Sequence, residues 1–155
     1  MRTQIAIIGA GPAGLVLAQL LAQQGIDSVV LENRSRDYVE RRVRAGVLEQ
    51  GSVDLLRTMG VAGRLDREGM VHHGIELRFD GAGHRIPLSD LTGGASIFVY
   101  GQQEVVKDLI KARLDGGGAI LFEAEAVGID GALTNVPVVR YTHQGEPRQL
   151  ECDYV

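Results

Sequence analysis

The stretch QIAIIGAGPAGLVLAQLLAQQGIDSVVLE, residues 4–32, decides the fold of this chain. Its first apolar run, Ile5–Ile8, is short and mostly β-branched, which is typical of a buried parallel strand. The apolar period then becomes helical over residues 15–23, and Gly25 ends the predicted helix. A second buried strand is predicted at Ser28–Leu31. Together these segments predict a β-α-β unit with a right-handed crossover.

Three glycines between the first strand and the helix have the spacing G-x-G-x-x-G. Gly9 permits the tight turn, Gly11 lets a pyrophosphate approach the backbone, and Gly14 lets the helix pack against the strands. The helix N-terminus favours an anion, and Pro12 suits its first turn. Glu32 follows at close to the usual spacing of about 20 residues for an acid that binds an adenosine ribose. We therefore predict a dinucleotide site, although this motif alone does not distinguish FAD from NAD.

Composition indicates one globular domain. The chain has 155 residues, of which 45% are hydrophobic and 23% charged. A net charge of −4 without a basic stripe argues against a nucleic-acid partner. The single cysteine, Cys152, excludes an intrachain disulfide and suits a cytoplasmic location. No apolar run is long enough to predict a membrane partner, and the histidine spacing predicts no metal site.

The segment after the first unit, residues 33–44, is polar and rich in arginine. A solvated loop or surface helix is one interpretation, and we favour it for Arg36 and Arg41. The alternative is that the planar guanidinium groups of Arg42 and Arg44 bind phosphates. Residues 45–51 follow, and their two glycines predict a loop that a ligand can approach closely, with the start of a helix as the alternative.

The rest of the chain mixes short helices and strands. Helices are predicted at 50–59, 62–68 and 102–114, and strands at 74–79, 84–88, 96–100, 119–122, 124–129, 135–142 and 148–155. This order predicts an α/β fold: a Rossmann-like β-α-β unit followed by an α+β insertion. The last apolar run reaches Val155 without a terminating signal. We therefore expect the chain to be truncated before the doubly wound sheet is complete.

Several motifs together carry a family resemblance. They are G-A-G-P-A-G-L, L-E at the second strand end, D-Y at 37–38, R-V-R-A-G-V-L-E-Q-G at 42–51, V-D-L-L-R at 53–57 and V-Y-G-Q at 99–102. With them the chain resembles the 4-hydroxybenzoate 3-monooxygenase family of single-component, FAD-dependent aromatic hydroxylases. The resemblance covers the whole chain and becomes looser after about Gly118. It implies hydroxylation of 4-hydroxybenzoate to 3,4-dihydroxybenzoate with NADPH and O2.

The resemblance also implies roles for particular residues. It places an FAD site at Gly9, Gly11, Gly14, Glu32, Arg42, Arg44, Gly46, Val47 and Gln102, and an NADPH site at Arg34, Tyr38, Arg42 and Arg44. His72 is implied as the outer end of a proton relay from the substrate phenol, while the other histidines have no assigned role. Asn33 departs from the family, which often has arginine there, and this bears on the choice between NADPH and NADH.

The family has a second FAD motif and an aromatic-substrate pocket that match nothing within residues 1–155. The chain is therefore expected to be the N-terminal part of an FAD-binding domain, inactive alone, from a homodimeric parent enzyme that acts on a small aromatic acid. Two alternatives stay open: a flavin hydroxylase of another aromatic acid, and a non-catalytic nucleotide-binding module. An NAD-dependent dehydrogenase is disfavoured by the string at 42–51.

Overall fold

The computed structural model describes residues 1–155, and they divide into two compact units. The first unit comprises Met1–Arg42 and Gln103–Val155, and the second comprises Val43–Gln102. In chain order the elements are β1 (Ile5–Ile8), α1 (Pro12–Gln23), β2 (Ser28–Leu31), α2 (Arg36–Arg41), β3 (Val47–Glu49), α3 (Gln50–Thr58), α4 (Gly63–Glu68), β4 (Met70–His72), β5 (Ile75–Phe79), β6 (Ala82–Ile86), α5 (Leu88–Leu91), β7 (Ile97–Val99), α6 (Gln102–Asp115), β8 (Ala119–Leu121), β9 (Ala124–Asp130), β10 (Val138–His143) and β11 (Glu146–Glu151). The predicted α/β fold with a β-α-β start and an α+β insertion is confirmed.

A three-stranded parallel sheet in the order β1-β2-β8 forms the base of the first unit. Its central strand β2 is buried along its whole length, which explains the continuous apolar run in the sequence. Successive side chains of β1 point to opposite faces of this sheet. Ala6 joins a buried cluster with the antiparallel sheet, whereas Ile7 lies against Gly14 of helix α1.

The antiparallel sheet of the first unit has the order β11-β10-β9. Its side chains Val139, Tyr141 and Leu150 pack in the same buried cluster as Ala6 of the parallel sheet. The hairpin turn is tighter than the predicted residues 144–147, because Gln144 and Gly145 alone form it, with φ of 54° and 78°. Pro147 lies in β11, where an edge strand tolerates the missing N–H.

The second unit contains a three-stranded antiparallel sheet in the order β3-β7-β4 and a separate β5-β6 hairpin. Helix α3 has the predicted apolar stripe, and Val53, Leu56 and the adjoining Met59 are buried. The predicted helix at 62–68 is also confirmed as α4.

Some predictions for the second unit were wrong. The segment 45–51 was predicted as a loop, with the start of a helix as the alternative. It contains strand β3, which was not predicted, and the start of α3, which agrees with the alternative. Strand β4 and helix α5 were not predicted, because each has only three or four residues and no apolar period. The alternation at 74–79 does mark a strand, yet Ile75, Leu77 and Phe79 are all exposed. Across the whole chain, no helix combines the length and hydrophobicity of a transmembrane span.

Candidate nucleotide-binding site

The glycine turn between β1 and α1 has two positions that the fold requires to be glycine. Gly9 has a φ of 106°, which L side chains rarely adopt, and its N–H donates to the carbonyl of Leu31 at 2.7 Å. A Cβ on Gly14 would lie 2.2 Å from the carbonyl oxygen of Gly9. Gly11 differs, because a Cβ there would meet no atom within 4 Å. The protein therefore leaves open space at Gly11, where a ligand can approach the backbone.

Helix α1 presents an uncapped N-terminus at this turn. Gly11 is the N-cap residue, Pro12 begins the helix, and no side chain accepts a hydrogen bond from the first turn. The first turn also contains no acidic residue. The free N–H groups and the partial positive charge of a twelve-residue helix suit a phosphate. The turn therefore fits the diphosphate of a dinucleotide.

Glu32 lies at the end of β2 with 9% of its surface exposed. Its Oε2 accepts a hydrogen bond from the backbone N–H of Ala10 at 2.8 Å, and its Oε1 accepts one from the N–H of Arg34 at 2.9 Å. The carboxylate thus ties the glycine turn to the end of the neighbouring strand. Sequence analysis missed this bond, since it depends on the strands being adjacent. A carboxylate has about four acceptor positions, so ribose hydroxyls can still bind it.

The basic segment after β2 forms helix α2, in which Ser35 Oγ caps the N–H of Tyr38. The guanidinium carbons of Arg34 and Arg42 lie 5.3 and 5.7 Å from the centroid of the Tyr38 ring. Three of the predicted NADPH ligands, Arg34, Tyr38 and Arg42, belong to the first unit, and they lie close together there. Neither arginine has a carboxylate partner, so both guanidinium groups are free to meet an anion.

The other arginines of this helix behave as a solvated surface. Arg36 pairs with Glu40 at 2.6 Å, and Arg41 pairs with Asp37 at 2.9 Å. Both pairs have the i,i+4 spacing that stabilises a helix modestly. The predicted surface interpretation for these two residues is confirmed.

The second unit brings together Gly46, Val47 and Gln102, which are far apart in sequence. The carbonyl of Gly46 accepts from the N–H of Tyr100, and that of Ala45 accepts from the N–H of Gln102, both at 2.9 Å. Val47 is 52% exposed at the start of β3, and Arg44 just before it has no ion pair. Gly46 and Gln102 are half-buried, and Gln102 begins helix α6. The contact of these positions with a flavin stays a prediction.

The two neighbouring histidines of the second unit have different surroundings. His72, the predicted proton relay, is exposed at the end of β4 and its ring makes no hydrogen bond. The Nδ1 atom of His73 lies 3.1 Å from Ser89 Oγ and 3.2 Å from Ser96 Oγ. Sequence analysis assigned His73 no role, and no sequence pattern pointed to the two serines. No group of three or more His, Cys, Asp or Glu side chains is placed to bind a metal ion.

The sequence profile described as "FAD binding domain" matches residues 2–155 of the chain. The chain belongs to the FAD-binding domain family. This assignment agrees with the open space at Gly11 and the uncapped helix α1, which together fit the diphosphate of FAD.

Individual relatives match the chain to different extents. The p-hydroxybenzoate hydroxylase of Acinetobacter baylyi is 48% identical over 155 residues, which is all of this chain and 38% of that protein. The match lies in the N-terminal, FAD-binding portion of that hydroxylase. The 3-(3-hydroxy-phenyl)propionate/3-hydroxycinnamic acid hydroxylase 2 of Burkholderia vietnamiensis is 42% identical over 67 residues, or 43% of this chain and 12% of that protein.

A solved structure supports the fold. The p-nitrophenol 4-monooxygenase of Pseudomonas putida superposes with a TM-score of 0.87 at 18% identity, over 99% of this chain and 40% of that one. This chain therefore spans well under half the length of the relatives that it matches over its whole length.

Proposed function

We propose that this chain is the N-terminal part of an FAD-dependent monooxygenase that hydroxylates 4-hydroxybenzoate to 3,4-dihydroxybenzoate with NADPH and O2. The observation that carries the proposal is the 48% identity to a p-hydroxybenzoate hydroxylase across the whole of this chain. On this proposal the second FAD motif and the substrate domain belong to a longer parent protein. That parent is proposed to be a cytoplasmic homodimer.

The proposed work of this chain is to hold and orient FAD. The N–H groups at the start of α1 would bind the diphosphate beside Gly11, and Glu32 would accept hydrogen bonds from the adenosine ribose. Arg42, Arg44, Gly46, Val47 and Gln102 would line the remainder of the cofactor. When bound, FAD supplies the redox chemistry with O2, whereas the chain supplies position and charge.

NADPH is the proposed electron donor. Arg34, Tyr38, Arg42 and Arg44 are its proposed ligands, since guanidinium groups suit phosphates and two of them lie over the Tyr38 ring. His72 is the proposed outer end of a relay that takes the phenol proton of the substrate to solvent. Its exposed position at the end of β4 suits exchange with water.

A flavin hydroxylase of another aromatic acid is the second candidate. It is supported by a 3-amino-4-hydroxybenzoate 2-monooxygenase of Streptomyces platensis, which is 39% identical over 98 residues, or 61% of this chain. The two candidates share the FAD site and differ in the aromatic acid. A third candidate, a nucleotide-binding module without catalysis, requires that the 155-residue chain bind FAD stably by itself.

The test uses the full-length protein that contains this chain. We expect it to purify with FAD, to consume NADPH faster when 4-hydroxybenzoate is added, and to release 3,4-dihydroxybenzoate. The same assay with 3-hydroxyphenylpropionate and 3-amino-4-hydroxybenzoate serves as the control. Product from one of these acids instead would favour the second candidate. A purified 155-residue chain that retains FAD through gel filtration as a monomer would favour the binding module.

A further inference from the structure

The first unit contains an open cavity of about 360 Å³ beside helix α2. Its lining includes Arg34 and Tyr38 of the basic segment, together with Glu123, Glu125 and Thr142 of strands β9 and β10 and the turn before β9. The cavity therefore combines two of the proposed NADPH ligands with two acids that sequence analysis did not single out.

The charged groups of this cavity are not paired with each other. Arg34 lies over the Tyr38 ring instead of forming an ion pair, and neither Glu123 nor Glu125 has a cationic partner. Two unpaired carboxylates and one unpaired guanidinium thus line the same solvated space. A ligand that enters it meets donors for a phosphate and acceptors for hydroxyl groups.

The fold fixes both acids toward the cavity side of the sheet. Glu125 lies between Ala124, which belongs to the buried cluster, and Ala126, which packs against that cluster. The strand alternation therefore directs Glu125 away from the core and beside its cross-strand partner Thr142. Glu123 has a φ of 55°, and its N–H donates to the carbonyl of Arg34 at 3.1 Å.

The proposed NADPH ligands Arg34 and Tyr38 line this cavity. We propose that Glu123 and Glu125, which line it as well, weaken the preference of the donor site for a 2′-phosphate. Arg34 attracts the 2′-phosphate of NADPH, whereas the two carboxylates repel it and accept hydrogen bonds from the free 2′-hydroxyl of NADH. This inference rests on the proposed function. It predicts that the enzyme discriminates between the two donors only modestly.

The experiment compares two probes on the full-length, FAD-loaded protein by calorimetry. The probe 2′,5′-ADP carries the 2′-phosphate, and 5′-ADP lacks it. The double variant Glu123→Gln/Glu125→Gln is expected to bind 2′,5′-ADP about 10-fold more tightly than wild type, with 5′-ADP unchanged or weaker. The gain should shrink in 0.5 M salt, because salt screens charges in a solvated cavity. In the double variant the KM for NADPH should fall, whereas the KM for NADH should stay the same or rise.

Glu151→Gln is the matched control, because this exposed acid lies at the other end of β11 from the Gln144–Gly145 turn. It is expected to leave both probes unchanged. Arg34→Gln should weaken 2′,5′-ADP selectively.

Three results overturn the inference: equal changes for both probes in the double variant, no change for either, or binding of neither probe by wild type. FAD content of the same samples separates this failure from a failure of the proposed function. Protein that holds FAD and hydroxylates 4-hydroxybenzoate with NADPH, while the double variant changes both probes alike, would refute only the role of the two acids.

Discussion

Replacing Glu32 should lower both the stability of the FAD-free protein and its affinity for FAD. In Glu32→Ala the buried N–H of Ala10 loses its charged acceptor at 2.8 Å, and the part-buried N–H of Arg34 loses its own at 2.9 Å. Hydrogen bonds to charged groups contribute about 1.5–3 kcal/mol each, and water can replace the second more easily than the first. We therefore expect the FAD-free protein to lose about 2 kcal/mol of unfolding free energy, mostly from Ala10.

FAD affinity should fall as well, by about 10-fold or more, because the ribose also loses its carboxylate and each 1.4 kcal/mol is tenfold. Glu32→Gln keeps one carbonyl acceptor and should lie between wild type and Glu32→Ala in both properties. Urea denaturation of the FAD-free protein and fluorescence titration of FAD measure the two effects, and amide hydrogen exchange at Ala10 reports the turn directly. Unchanged exchange at Ala10 together with an unchanged FAD dissociation constant in Glu32→Ala would refute this account of Glu32.

Three further predictions concern other residues. Arg44→Lys keeps the charge but loses the planar fork of the guanidinium group, so it should weaken FAD binding and raise the KM for NADPH. If both values equal those of wild type, Arg44 is a surface residue without a role in binding. His72→Asn should slow substrate-stimulated NADPH oxidation without changing FAD affinity, whereas the control His73→Asn should not slow it. Equal stopped-flow rates for wild type and His72→Asn would show that His72 is not part of the relay. Burial raises the pKa of the Cys152 thiol. Its contribution to stability should therefore be complete below pH ~8.5 and be lost as the pH rises through the folded pKa. Urea denaturation from pH 7 to 10 should show a larger loss of unfolding free energy in wild type than in the control Cys152→Ala, and equal losses would contradict the prediction.

The first β-α-β unit was predictable because each of its parts carries a local signal. β1 and β2 are apolar runs, Gly9 and Gly14 are required by backbone geometry and close packing, and α1 has a helical period. These signals do not depend on distant parts of the chain. Helix α3 was predictable for the same reason, since its apolar stripe is buried as expected.

What sequence analysis missed depends on pairing between distant segments. Strands β3 and β4 are three residues long and exist because both pair with β7. The hydrogen bond from Ala10 to Glu32 requires β1 and β2 to be neighbours. Glu123 and Glu125 lie near Tyr38 of helix α2 only in the folded chain, since they are far from it in sequence. The alternating pattern at 74–79 is typical of a half-buried strand, so it did not predict that Ile75, Leu77 and Phe79 would be exposed.

The central claim is that the turn at Gly11 binds the diphosphate of FAD, and the substitution Gly11→Ala tests it most directly. Gly11 has φ −77° and ψ 174°, which alanine adopts readily, and its Cβ would meet no protein atom within 4 Å. The unfolding free energy of the FAD-free variant should therefore stay within about 1 kcal/mol of wild type. Gly14→Ala is the contrasting control, since its Cβ would lie 2.2 Å from the carbonyl oxygen of Gly9 and should destabilise the fold by about 1–3 kcal/mol.

The deciding measurement is the FAD dissociation constant of Gly11→Ala in the full-length protein, by fluorescence titration. We predict that it rises by about 10-fold or more while the unfolding free energy is unchanged, because the added methyl group occupies the space that the diphosphate needs. An FAD dissociation constant equal to that of wild type in a folded Gly11→Ala protein would contradict the claim.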